Sequence, residues 1–306
     1  MAKKYAMVIV NPVAGGGSTR RKWEQISRQL TLNGLVFDYE FTCCQNHATE
    51  LARTAADEGY RFLVAVGGDG TVNEVANGIL TSSQPQNVTL GIINTGTGSD
   101  LIRTVGAPKD PLEACNFLSR EDRFLIDIGE ATFYHDGKKT CRYFVNYCGT
   151  GFDSEVAETT NRMPKPAFVP STLPYLVALI RTLVRYRNHD IKLTVDGEVR
   201  RGRFLSVIVA NGQYFGGGMR VAPHAKLDDG KLDVVTVEDI GKLELLKVFP
   251  TIYKGTHIYH PKVVVRQAKN IEVEPEIRMP VSADGELLGE GPVTFRIIPQ
   301  ALAIAR

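Results

Sequence analysis

Apolar positions in the first part of the chain come in short runs, each followed by a loop and then by a stretch with helical spacing. Tyr5-Ala-Met-Val-Ile-Val10 runs into Asn11-Pro-Val-Ala-Gly-Gly-Gly17, after which Ser18 or Thr19 can cap a helix. Leu35 to Phe41 alternates as a strand does and stops at Thr42, and His47 to Ala56 is spaced for a helix. Phe62-Leu-Val-Ala-Val66 is the most apolar run. It breaks at Gly67-Gly-Asp-Gly-Thr71, which predicts a buried strand turning sharply at its carboxyl end into a helix. Val88 to Ile93 gives a fourth strand, then Asn94-Thr-Gly-Thr-Gly-Ser-Asp100 and a short helix. Strands alternating with helices predict right-handed crossovers and a parallel sheet, with ligands in the crevice outside the strand carboxyl ends.

From Arg123-Phe-Leu-Ile-Asp-Ile-Gly129 onward the pattern changes to alternating strands joined by tight turns. Asp136-Gly137, Asp196-Gly197 and Asp284-Gly285 are hairpin dipeptides. Arg142 to Cys148, Ile191 to Val195, Phe204 to Ala210, Leu232 to Val237 and Val263 to Arg266 are the clearest strands. A mainly antiparallel β-sandwich is expected. One helix interrupts it, Tyr175 to Arg187, whose apolar residues are interleaved with Arg181, Arg185 and Arg187. Such a helix is expected to pack on its own sheet, with membrane contact at its exposed end or at the nearby loop Pro164 to Pro170.

Composition narrows the field without choosing within it. The chain has 306 residues, enough for two domains, and its 43% hydrophobic content is that of an ordinary globular protein. A net charge of +2 gives no general reason to expect nucleic acid as a partner. No run approaches the roughly 18 apolar residues of a membrane span, and Met1 to Val10 is too short for a signal peptide, so a cytoplasmic location is expected. Cys43, Cys44, Cys115, Cys141 and Cys148 lack metal-site spacing and are read as reduced packing residues. His257 and His260 have no acidic or cysteine neighbour that would suggest zinc.

The candidate chemistry lies in the loops. Gly67, Gly68 and Gly70 let a ligand approach the main chain, and the helix that follows offers N–H groups to an anion. Asp69 beside phosphates makes sense if a divalent cation lies between them; otherwise it is a helix cap. Asn11 to Gly17 suits a phosphate but lacks the Lys-Ser/Thr ending of a Walker A loop. Asp127, inside an apolar strand, needs either a metal hydration shell or backbone donors. In Lys226-Leu-Asp-Asp-Gly-Lys231, Asp229 and main-chain carbonyls can ligate a hard cation, or the segment is a solvated turn. Asp284 and Glu286 stand across one turn.

Gly67-Gly68-Asp69-Gly70-Thr71 resembles the nucleotide motif of the diacylglycerol kinase and sphingosine kinase family of lipid kinases, shared with NAD kinases and more distantly with phosphofructokinases. The resemblance extends through Asn11 to Gly15, Gly96 to Asp100, Leu125 to Gly129, Lys226 to Gly230 and Asp284 to Glu286, nearly the whole chain in order. It implies an α/β nucleotide domain over residues 1–128, a β-sandwich lipid-substrate domain over 129–292, and a tail, 293–306, returning to the first. By the same resemblance Asn11, Pro12, Val13, Ala14, Gly15, Thr42, Gly67, Gly68, Asp69, Gly70, Thr71, Val72, Asn73, Thr97, Asp100 and Asp127 serve ATP and its Mg2+. Asp229 with the carbonyls of Lys226 and Lys231 holds a structural Mg2+. Glu286 is the candidate general base, Asp284 orients the site or a metal-bound water, and Asp69 engages the nucleotide's Mg2+.

Two positions depart from the family pattern: Thr95 replaces a proline and Ser99 an asparagine. A more mobile loop and altered nucleotide affinity are expected. The implied reaction is phosphoryl transfer from ATP to a lipid hydroxyl, with diacylglycerol the expected acceptor and phosphatidate the product, by an enzyme peripheral at the inner membrane face. Its partners are then a hydroxyl-bearing lipid, transiently a membrane surface, and a second copy of the chain if edge strands pair. An NAD kinase or a nucleotide sensor without transferase activity are the alternatives.

Overall fold

The computed structural model describes residues 5–120, 122–163 and 172–305. The first half alternates as β1 (Tyr5–Val10), α1 (Ala14–Leu32), β2 (Val36–Phe41), α2 (His47–Asp57), β3 (Phe62–Gly67), α3 (Asp69–Leu80), β4 (Thr89–Asn94), α4 (Asp100–Val105), α5 (Pro111–Leu118) and β5 (Arg123–His135). Strands β2, β1, β3 and β4 lie side by side and parallel. Consecutive strand residues point to opposite faces, and both faces are covered. Ile9 and Leu63 pack with Ala52, Val75 and Ile79, whereas Val8 and Val64 pack with Trp23, Ile26 and Leu118. A sheet buried on both sides explains why its strands read as unbroken apolar runs.

The second half contains β6 (Lys138–Phe144), β7 (Tyr147–Gly151), α6 (Phe152–Arg162), α7 (Thr172–Arg185), β8 (His189–Val195), β9 (Glu198–Ala210), β10 (Leu232–Glu238), α8 (Lys242–Val248), β11 (Val263–Ala268), β12 (Asn270–Pro275), β13 (Pro280–Ala283) and β14 (Glu286–Ala305). Its pairings are antiparallel. β14 bonds to β13 and β12, and β9 to β7 and β8, so two layers close around Phe144, Phe204 and Phe295. The three Asp-Gly pairs turn as expected, with positive φ at both residues: 48° and 73°, 46° and 88°, 47° and 87°.

Four expectations need correction. Arg142 to Cys148 is not one strand, because the backbone N–H groups of Val145, Asn146 and Tyr147 turn away to the carboxylate of Asp284. Phe295 stays in the sandwich core, and Ala303 and Ile304 make the return to the first domain, parallel to Thr89 and Leu90 of β4. Neither Ser18 nor Thr19 caps α1. Gly15, Gly16 and Gly17 hold left-handed angles ahead of the regular helix, and both hydroxyls donate to loop carbonyls, Ser18 to Thr95 and Thr19 to Ala14. The cysteines divide: Cys115 and Cys148 are buried, while Cys43, Cys44 and Cys141 are exposed.

The two halves are fastened at Asp127, fully buried in β5. Its carboxylate accepts N–H groups from Gly230 at 2.6 Å and Gln300 at 2.8 Å, and its own N–H donates to Leu227 at 2.6 Å. Helix α7 packs Ala178 and Leu183 inward and leaves Val177, Ile180 and Val184 exposed; the 164–170 loop lies outside the described residues. Among the described residues no helix is long and apolar enough to cross a membrane.

Candidate active site

The loops after β1, β3 and β4 form a braced row along the carboxyl edge of the parallel sheet. Asn11 donates its backbone N–H to Val66 at 2.9 Å and its side-chain amide to the Thr71 hydroxyl at 2.9 Å. Thr95 N–H donates to the Gly67 carbonyl at 2.8 Å. Glycine is required by contact here: a Cβ on Gly96 would stand 2.5 Å from Gly68 Cα, and one on Gly15 would stand 2.2 Å from the Thr95 oxygen. The departure at position 95 adds hydrogen bonds to the loop. Thr95 supplies an N–H that proline lacks, and its buried hydroxyl bonds that of Thr19 at 2.5 Å. Ser99, at φ 61°, accepts from the Asn94 side chain at 2.6 Å.

Two cavities flank the start of α3. One, of about 290 Å³, is lined by Asn11, Val13, Thr42, Cys43, Cys44, Gln45, Ala48, Thr71 and Glu74. The other, about 580 Å³, opens between the domains. Its lining includes the polar residues Asp69, Thr97, Gly98, Asp100 and Asp284 and the apolar or aromatic Leu179, Phe215, Phe249 and Tyr253. Asp69 does not cap its own helix. Its Oδ1 instead accepts the N–H groups of Asp100 and Leu101 at 2.9 and 3.4 Å, tying α3 to α4. Asp100 Oδ2 accepts the Gly217 N–H at 2.9 Å, while its Oδ1 is buried without a partner.

Burial raises the pKa of both carboxylates, that of Asp100 to about 6, against the N–H groups that hold the charged forms. A hard divalent cation fits this end. The orphaned Asp100 oxygen and Asp69 Oδ2, which stands 2.3 Å from where a Gly98 Cβ would be, are carboxylate donors, and Mg2+ needs only one or two beside water and phosphate. In the Asp229 turn, Oδ1 accepts from Lys231 N–H and Oδ2 from the Gln267 amide. Among the described residues no three acidic, histidine or cysteine side chains converge as a metal group.

Asp284 is held by four donors: the Asn73 amide, Val145 N–H at 2.8 Å, Asn146 N–H at 3.0 Å and Tyr147 N–H at 2.9 Å. Even so, burial pushes its pKa up to about 6. Glu286 lies beside the first turn of α3, with Oε1 3.7 Å from where a Gly70 Cβ would be, and its Oε2 faces Arg142 Nη2 across 3.6 Å. Burial raises Glu286 to about 7; Arg142 opposes the shift, and the Glu74 and Asp284 charges add to it.

Some expected nucleotide residues sit elsewhere. Val72 is in the hydrophobic core, Asn73 is engaged with Asp284 and the Tyr143 carbonyl, and Asp127 is the interdomain fastening described above. The sequence reading also missed three residues of the site. Arg142 falls in a stretch that reads as strand, and neither Glu74 nor Asp153, which lines the interdomain cavity beside Ser206, stands out in the sequence. The only available signal was a charge within an apolar or glycine-rich stretch, as in Gly149-Thr-Gly-Phe-Asp153.

A two-domain phosphotransferase is the class that these loops, acids and cleft define. A profile of the diacylglycerol kinase catalytic domain matches residues 5–131, and one of the YegS C-terminal NAD kinase beta sandwich-like domain matches residues 146–306. A diacylglycerol kinase of Staphylococcus carnosus is 29% identical over 99% of this chain and 95% of its own, and one of Staphylococcus saprophyticus is 30% identical over the same shares. A crystal structure of a candidate diacylglycerol kinase from Bacillus anthracis superposes with a TM-score of 0.82 at 28% identity, covering 100% of this chain and 96% of that one. The chain belongs to the diacylglycerol kinase family of lipid kinases.

Proposed function

We propose that the protein transfers the γ-phosphoryl group of ATP to the hydroxyl of a membrane lipid, with diacylglycerol as acceptor and phosphatidate as product. The observation that carries this reading is one interdomain cleft lined both by carboxylates and by apolar side chains, as a chain-bearing alcohol requires. The nucleotide is assigned to the smaller cavity, which holds Asn11, Val13, Thr42 and Thr71, with its phosphates directed to the start of α3. When bound, Mg2+ held by Asp69 and Asp100 would neutralise phosphate charge. Glu286 takes the acceptor proton, and Asp284 fixes the turn that presents it. The wall of Leu179, Phe215, Phe249 and Tyr253 suits an acyl chain, and the NAD kinase reading is kept for the acceptor screen below.

Membrane contact is assigned to α7 and α8. Val177, Ile180 and Val184 are exposed on α7, Leu243 and Leu246 are exposed on α8, whose Lys242 reaches the Val184 carbonyl, and Arg181 and Arg185 stand on α7 for anionic headgroups. Purified protein with labelled ATP should be offered diacylglycerol, monoacylglycerol, phosphatidylglycerol, a sphingoid base, a polyprenol and NAD, with the products separated by thin-layer chromatography. Phosphatidate as the main product is expected. Labelled NADP with no labelled lipid would overturn the reading.

A further inference from the structure

Arg142 has a role that neither the fold nor the proton transfer uses. Its side chain is mostly buried, yet its Nε and Nη2 find no hydrogen-bond acceptor. The carboxylate beside it, Glu286, is 3.6 Å away, too far for a hydrogen bond. Compare Arg296, which gives two N–H bonds to Glu130 at 2.6 and 2.8 Å, or Arg220, bonded to Gln213 and the Pro223 carbonyl. Those guanidinium groups are satisfied within the fold. A buried cation with open donors is unfavourable by itself, so its retention points to an acceptor that arrives from outside. That acceptor is anionic, because a planar fork of charged donors matches two oxygens of a phosphate or carboxylate.

The position says which anion. Glu286 touches both Arg142 and the Gly70 end of α3, so the guanidinium, the carboxylate and the helix start surround one place. Glu286 is close enough to Glu74, in the wall of the smaller cavity, and to Asp284, in the wall of the larger, to feel both charges. We infer that Arg142 donates Nε–H and Nη2–H to oxygens of the phosphoryl group while it passes from nucleotide to acceptor. This rests on the phosphotransfer reading above. In the step, the acceptor oxygen forms a bond to phosphorus and its proton goes to Glu286. The bond from phosphorus to the bridging oxygen breaks, its electron pair leaving on the diphosphate. Arg142 is charged throughout and exchanges no proton.

The competing account is that Arg142 only steadies Glu286. Calorimetric titration with ADP and with a non-hydrolysable ATP analogue, both with Mg2+, separates the two. Arg142→Met is expected to weaken the triphosphate analogue at least tenfold and ADP less than twofold, with Arg142→Lys between wild type and Met. The same loss is expected when Glu286→Gln is the parent. Methionine removes unsatisfied donors, so melting temperature should hold or rise; if that variant does not fold, Arg142→Lys carries the comparison. Equal effects on both nucleotides, or a preference for triphosphate that survives Arg142→Met, would overturn the inference while leaving the kinase reading intact. Wild-type protein that binds neither nucleotide would remove the kinase reading, and the inference with it.

Discussion

At position 284 a carboxylate meets four N–H donors, and two residues later the next carboxylate faces a guanidinium across 3.6 Å. Their substitutions should therefore fail differently. Asp284→Asn leaves buried N–H groups facing an amide, which costs about 2–4 kcal/mol of stability, whereas Glu286→Gln removes a proton acceptor and lowers turnover about 10²- to 10⁴-fold with the fold intact. Thermal melts and initial rates on both variants check this, and a Glu286→Gln enzyme near wild-type rate would remove Glu286 as the base. In the wild type, turnover should rise with pH through about 7, since only ionised Glu286 accepts a proton. Asp69, Asp284 and Glu286 were legible in the sequence because each stands against glycine in a turn. Arg142 and Asp153 were not, because what marks them is contact with residues more than fifty positions away.

The glycine loops act as one element, although three different strands lead into them. Gly68 and Gly96 touch backbone to backbone, Gly15 lies under the Thr95 carbonyl, and Gly98 leaves room for Asp69 Oδ2. Gly96→Ala forces a Cβ to 2.5 Å from Gly68 Cα, and overpacking of this kind costs about 1–3 kcal/mol. We expect this variant to remain folded and to lose nucleotide affinity, read by calorimetry. Unchanged affinity would mean that the two loops do not form the phosphate site together. The apolar runs made these strands readable, and Asp-Gly pairs gave the hairpins. The break between β6 and β7 was invisible because Asp284, far along the chain, causes it. So was β14 as one strand of 20 residues, since it pairs in turn with β13, β12 and β4 and its burial pattern changes with each neighbour.

Over the whole molecule, burial raises the pKa of acids in the cleft and in β10, and this sets how stability follows pH. Burial raises Asp100, Asp233 and Asp284 to about 6 and Glu286 to about 7, and moves Asp69 and Asp153 the same way. Between their unfolded values near 4 and these folded values, the folded protein binds more protons than the unfolded chain. Stability must then fall as pH rises through that window. His189 and His257, lowered by burial, work in the opposite direction below about 6.5, but they are two groups against these six and Glu155, which burial also raises. Asp38 and Asp57, exposed, and Glu244, half-buried, are lowered, so what they contribute is lost only in more acid solution. The melting temperature should thus be higher at pH 5.5 than at pH 7.5, and Mg2+ with nucleotide should recover part of the difference at pH 7.5 by neutralising Asp69 and Asp100. Differential scanning calorimetry at both values, with and without ligand, checks the sign. A melting temperature that rises across this interval would show that the cleft acids are already ionised in the free protein, and that the charge on the site is balanced before any cation arrives.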